Sequence, residues 1–106
     1  MRLRAVRILV FFDLPTLTKE DRTRYNRFRK YLISNGYIME QESVYSKLVL
    51  NQTSAGTAVS NLRHNKPPAG NVQVLLISER QYQGIEFLIG DRQNQIVDTT
   101  DRFVVL

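Results

Sequence analysis

The order of apolar patterns along the chain predicts an α+β fold, an antiparallel sheet with two helices packed against one face. Three observations carry that expectation. Two stretches of helical periodicity alternate with β-type runs in the order β-α-β-β-α-β. The 106 residues suit one domain with a single core, and no break in composition marks a linker within 1–106. Cysteine is absent, so no disulfide framework supports the fold and the core must hold it.

Residues 6–12, VRILVFF, are rich in Ile, Val and Phe without clean alternation, the pattern of a central strand buried on both faces. Asp13 and Pro15 close it, and the proline biases Leu14 towards extended backbone. Thr18 is placed as an N-cap, with Glu20 and Asp21 in the first turn where carboxylates suit the helix dipole. Tyr25, Phe28 and Leu32 then recur at helical spacing, and Asn35-Gly36 stops the helix. Residues 37–50, YIMEQESVYSKLVL, read as two strands with the bend in the polar patch at 40–43. In the second of them Val44, Ser46, Leu48 and Leu50 share one face, and Tyr45, Lys47 and Val49 the other.

Asn51–Ser54 forms a turn and cap before a second helix bearing Ala55, Ala58, Val59 and Leu62 on one side. The sequence NKPPAGN at 65–71 is a loop, and residues 72–77 are a further apolar strand. Gln83-Gly84 separates that strand from IEFLIG, expected as a short strand, and residues 90–100 are polar loop. A last strand is expected at 102–106, within a C-terminal segment running from about residue 93. The arrangement is ferredoxin-like with extra C-terminal strands, and such a sheet leaves one face uncovered. Its apolar residues on both sides favour a homodimer, to which Arg102, Phe103, Val104, Val105 and Leu106 could contribute by joining a partner's sheet edge.

Charge is unevenly placed. The chain carries +5, but residues 1–30 alone carry +6 and the remainder −1. Eleven of the fifteen basic residues are arginine, whose planar fork grips phosphate oxygens in pairs, so a polyanion partner competes with a merely solvated basic face. The start MRLRAVRILVFFD has a basic region and an apolar stretch but no small-residue cleavage site, and reads as a strand. Its apolar run, interrupted by Arg7, is too short to cross a bilayer. A cytoplasmic protein without membrane contact is the expectation.

Asp13 stands at the exit of the most apolar strand, and two roles compete for it. It could cap the turn into the first helix, accepting from backbone N–H groups near Thr16 or Leu17, the role that spacing alone favours. Alternatively it could bind a hard cation such as Mg²⁺ or Mn²⁺. One carboxylate is a poor site, but two copies facing across a dimer axis would be brought together by a shared ion. Arg22, Arg24, Arg27, Arg29 and Lys30 occupy most of the first helix outside its apolar stripe, a surface suited to a phosphate backbone. Arg2, Arg4 and Arg7 add charge nearby, and Arg7, within a buried-looking strand, needs a partner or the open sheet face.

Other chemistries find little support. His64 is the only histidine and has no neighbours at ligand spacing; at the end of the second helix it suits the dipole or the surface. Tyr25 and Tyr37 fall where the core needs them. SVYSKLVL does not match the aromatic signature of an RNA-recognition strand, and neither G-x-G-x-x-G nor a P-loop occurs.

The run ILVFFDLP, the T-x-x-D-R that follows, the basic helix, and NGYIMEQESVYSKLVLN together resemble the small CRISPR-associated adaptation protein, the Cas-two family, and lean towards its type II branch. The likeness runs from about residue 7 to 77, with RFVVL also in register; FFDLP and QESVYSKL are its most specific parts. The resemblance implies a ferredoxin-like homodimer whose terminal strand joins the partner's sheet. It implies a dimer seated between two integrase dimers, holding duplex DNA for insertion into a CRISPR array. It places the family's strand-end aspartate on Asp13, which in some members supports metal-dependent cleavage of RNA or DNA, and so favours the metal role over the cap. Scaffold is the favoured function, a metal-dependent endonuclease the alternative, and a small RNA-binding module a third reading.

Overall fold

A sequence with one strand apolar on both sides must bury that strand in the middle of a sheet, and the chain does so. The structure, a computed structural model, describes residues 4–92. In chain order the elements are β1 (Val6–Asp13), α1 (Lys19–Ser34), β2 (Ile38–Gln41), β3 (Val44–Val49), α2 (Gln52–Asn65), β4 (Asn71–Ser78) and α3 (Glu79–Gln83). The four strands form one sheet in the order β2-β3-β1-β4, every pairing antiparallel. This is the expected ferredoxin-like α+β arrangement.

Period-two alternation sorts β1 into two sets. Val6, Ile8, Val10 and Phe12 enter the core with Phe28 and Leu32 of α1, Tyr45 and Val49 of β3, and Ala55 and Leu62 of α2. Phe12 is the hub: its ring meets Phe28 edge-on at 5.3 Å and Tyr25 at 5.8 Å, and stacks on Tyr45 at 5.7 Å. Arg7, Leu9, Phe11 and Asp13 therefore point to the other face. On β3 the split is as the sequence predicts, with Tyr45, Lys47 and Val49 opposite Val10, Ile8 and Val6.

Local signals set the boundaries. Thr18 caps α1 in a capping box, its hydroxyl accepting from Asp21 N–H while the Asp21 carboxylate accepts from Thr18 N–H. Gly36, at φ +87°, turns the chain out of α1. The β2–β3 bend falls at residues 42 and 43 with a register shift between Met39 and Gln41, inside the predicted polar patch. Asn51 caps α2 through Ser54 N–H at 2.8 Å.

One expectation fails. IEFLIG forms no strand; residues 85–90 have no regular structure, and Leu88 and Ile89 are almost fully exposed. The polar ERQYQ before it, to which the sequence assigned no element, forms the helix α3, started by a second capping box between Ser78 and Gln81. The predicted strand at 102–106, the segment from residue 93, and Arg2 lie outside the described residues.

The helix α3 covers part of the face that the sheet was expected to leave open. Arg7 donates from Nε and Nη2 to both carboxylate oxygens of Glu79, at 3.0 and 2.8 Å and 72 residues away, with its guanidinium 3.9 Å from the centre of the Tyr82 ring. Arg92 lies 4.4 Å from the centre of the same ring. The Tyr82 and Ser46 hydroxyls each donate to Glu40 Oε2 at 2.5 Å. The buried arginine thus has a partner and reaches the second face. Hydrogen bonds from Arg7 hold the Glu79 carboxyl below its usual range, against the opposing effect of burial. A depressed folded value means the bond's contribution is present above the unfolded carboxyl range and fades as pH falls through the folded one. Glu79→Gln is expected to cost about 1–2 kcal/mol at pH 7, since the pair is only partly buried. Thermal melts of the two proteins should converge below about pH 4; a gap constant down to pH 3 would refute the assignment.

Candidate nucleic-acid interface and acidic rim

Asp13 is the last residue of β1, exposed, and directly opposite Asn71 at the start of β4. Its backbone is fixed from the side by Gly70, whose φ of +91° brings the loop so close that an added Cβ would stand 2.7 Å from the Asp13 carbonyl oxygen. The capping role that spacing favours is not what this carboxylate does. Thr18 and Asp21 cap α1, Arg22 donates from Nη1 to the carbonyls of Thr16 and Leu17, and Asp13 accepts no hydrogen bond from the described residues. The carboxylate stands at the lip of a shallow depression of ≈ 280 Å³, with Phe11 and Val44 as apolar floor and Ser43, Asn71 and Gln73 around it.

That setting suits a hard cation in part. The carboxylate has no partner among the described residues and is solvent-accessible, and Asn71 lies at the same rim. No group of three or more His, Cys, Asp or Glu residues able to hold a metal ion occurs among the described residues. One subunit therefore supplies part of a coordination shell. Nor do the core tyrosines offer acid–base chemistry near neutrality: burial pushes the Tyr37 phenol up to about 12 and raises that of Tyr45, against the pull of the neighbouring Arg29.

The basic residues of α1 do not form one surface. Phe28 and Leu32 face the core, leaving cations on both flanks of the helix. Arg22 is engaged with the 16–17 loop, so its guanidinium holds the entry to α1. Arg24 lies 3.8 Å from Asp21, a loose and exposed contact. Arg27 makes no hydrogen bond or ion pair among the described residues, and it shares a flank with Arg24. Arg29 lies towards Tyr45 on the other flank, and Lys30 is exposed. His64 Nδ1 lies 2.8 Å from the Ser60 carbonyl at the end of α2, the surface role expected of it. Among the described residues no helix is long and apolar enough to cross a membrane.

Sequence reasoning missed the groups that the fold brings to these places. Asn71 and Lys66 belong to the NKPPAGN segment, whose composition signals a turn and nothing of its neighbours.

Comparison with known proteins agrees with this fold. The family model described as "CRISPR associated protein Cas2" matches residues 6–85. A protein of Treponema denticola named "CRISPR-associated endoribonuclease Cas2" is 50% identical over 101 residues, covering 95% of this chain and all of that protein. One of the same name from Streptococcus mutans is 41% identical, covering 95% and 93% of the two chains. Among solved structures, the crystal structure of Streptococcus pyogenes Cas2 at pH 6.5 matches with a TM-score of 0.59 at 19% identity, covering 77% of this chain and 98% of that one.

Proposed function

The chain belongs to the Cas2 family of CRISPR-associated proteins, and from that premise we propose that it acts in CRISPR adaptation as a homodimer that holds duplex DNA and bridges integrase dimers. The observation that carries the reading is the exposed Arg24–Arg27 flank of α1, where Arg27 has no partner among the described residues and Arg24 only a loose one. Charges left unengaged by their own fold are available to phosphates, and they read no sequence. Dimerisation is supported by the second face of the sheet, where α3 leaves Leu48 and Leu75 44% and 50% exposed. The terminal residues Arg102 to Leu106 would extend that interface.

DNA affinity should be independent of sequence and fall steeply with salt. Arg24→Ala combined with Arg27→Ala should weaken it about tenfold and reduce the salt slope by about two. Fluorescence anisotropy with two unrelated duplexes tests this, and affinity unchanged between low and moderate salt would overturn it.

A second reading is favoured by the free carboxylate of Asp13 and by the name endoribonuclease that the relatives carry. Here Asp13 of each subunit, with Asn71 beside it, would hold Mg²⁺ or Mn²⁺ between the two copies. The ion would neutralise and polarise a phosphodiester. This chain's own part is to present one carboxylate per subunit, unpaired among the described residues, on a strand end and to hold the polyanion beside it. Holding and cutting are compatible, because the basic helix and the acidic rim are separate surfaces.

A further inference from the structure

The arginines of α1 meet a second element at one place. Between α1 and the end of α2 lies a groove of ≈ 250 Å³ walled by Arg24, Arg27 and Tyr31 on one side and by Lys66, Pro67 and Pro68 on the other. We infer that this groove, with Lys66 as its far wall, is a subsite for the phosphodiester backbone of nucleic acid, an inference that rests on the nucleic-acid-binding reading above.

Three features support the assignment. First, the groove gathers three cations from two elements, and its polar floor is neutral. Among the described residues Arg27 is unengaged, and Lys66 donates only to the Arg63 carbonyl at 3.1 Å, an exposed bond that a phosphate could replace. Second, the charges form a track. Arg24 and Arg27 also border a neighbouring depression with Lys19 and Thr23, so cations run along the helix from Lys19 to Arg27, about 12 Å at the rise of an α-helix. Duplex DNA presents one charge per ~3.4 Å of axis on each strand, so such a row meets several phosphates. A single terminal carboxylate of a peptide would use only one of them. Glu20 borders the neighbouring depression and Asp21 the notch beside Pro67, and neither acid lines the groove itself.

Third, the loop that supplies Lys66 runs on to the acidic rim. Pro67 and Ala69 line a notch beside Leu14 and Arg24, Gly70 abuts the Asp13 carbonyl, and Asn71 stands opposite Asp13. A strand held in the groove is therefore anchored on the same five-residue loop, 66–70, that fixes Asp13. The prolines limit that loop's freedom, so the distance between groove and rim is set by covalent structure.

The test uses the full chain, with EDTA present so that binding is read apart from any cleavage. Anisotropy is measured with a labelled duplex DNA and with a single-stranded RNA of equal length. Lys66→Ala is expected to weaken binding three- to tenfold and lower the salt slope by about one, whereas Arg80→Ala, on α3 across the sheet, leaves it unchanged. The two probes identify which backbone the groove prefers. Binding by Lys66→Ala equal to wild type, with Arg29→Ala defective, would move the track to the other flank of α1 and overturn the groove while sparing the broader reading. Competition by an acidic peptide at the concentration of the oligonucleotide would also overturn it. Wild-type protein that binds neither probe would remove both.

Discussion

Replacing Gly70 by Ala is expected to lower the midpoint of thermal unfolding by about 10–25 °C, and Gly56→Ala to raise it slightly. The same added methyl group has opposite effects because the two sites differ in backbone and in neighbours. At Gly70 the φ of +91° lies where an L side chain is strained, at a cost of about 1–2 kcal/mol. The new Cβ would also stand 2.7 Å from the Asp13 carbonyl oxygen and 2.8 Å from Leu14 Cδ2. Neither obstacle yields cheaply, since one is backbone at the end of a central strand and the other belongs to a buried side chain. Overpacking of this kind adds about 1–3 kcal/mol. Gly56 lies within α2 with nothing inside 4 Å of the added atom, so helix propensity dominates there and Ala gains about 0.5–1 kcal/mol. Differential scanning fluorimetry of both variants decides the matter, and shifts of the same sign would refute the packing described for residues 65–71. Because the displaced atom is the backbone of Asp13, Gly70→Ala should also reduce any metal-dependent cleavage at temperatures where it stays folded.

The sequence made the central strand, the two main helices and their caps legible because each is set by neighbours in the chain. Thr18 with Asp21, Asn51 with Ser54, and the Tyr25–Phe28–Leu32 stripe are all local patterns. The helix α3 was not legible. Five polar residues carry too little propensity to predict it, and what fixes it is Tyr82 and Glu79 docking on Arg7 and Glu40, far away in sequence. The stretch at 85–90 misled for the converse reason: its composition is strand-like, but strands need a paired edge, and composition does not provide one. The site followed the same rule. Asp13 could be singled out from its place at a strand exit, and its freedom from capping became visible only once Thr18 and Asp21 were seen to close the helix by themselves. Lys66 and Asn71 gave no local sign at all, since their neighbours come from β1 and α1.

Asp13→Asn is expected to abolish divalent-dependent cleavage of RNA or DNA, by at least about 10²-fold, while leaving stability within about 0.5 kcal/mol. The carboxylate is exposed and accepts no hydrogen bond from the described residues, so its neutral isostere costs the fold nothing. The sharper question is whether the two subunits act on one ion. Each subunit offers one acid at the rim, and no three-ligand group occurs among the described residues, so a shared ion requires both copies of Asp13. Wild-type and Asp13→Asn chains mixed, unfolded and refolded together give dimers in binomial proportion. If the ion is shared, dimers with one Asn are inactive, and an equal mixture keeps about a quarter of the wild-type activity. If each subunit works alone, the mixture keeps about half. Activity linear in the wild-type fraction would remove the shared site and leave Asp13 acting singly. Undiminished activity of Asp13→Asn alone would remove Asp13 from the chemistry and leave the basic surface of α1 as the functional part of the molecule.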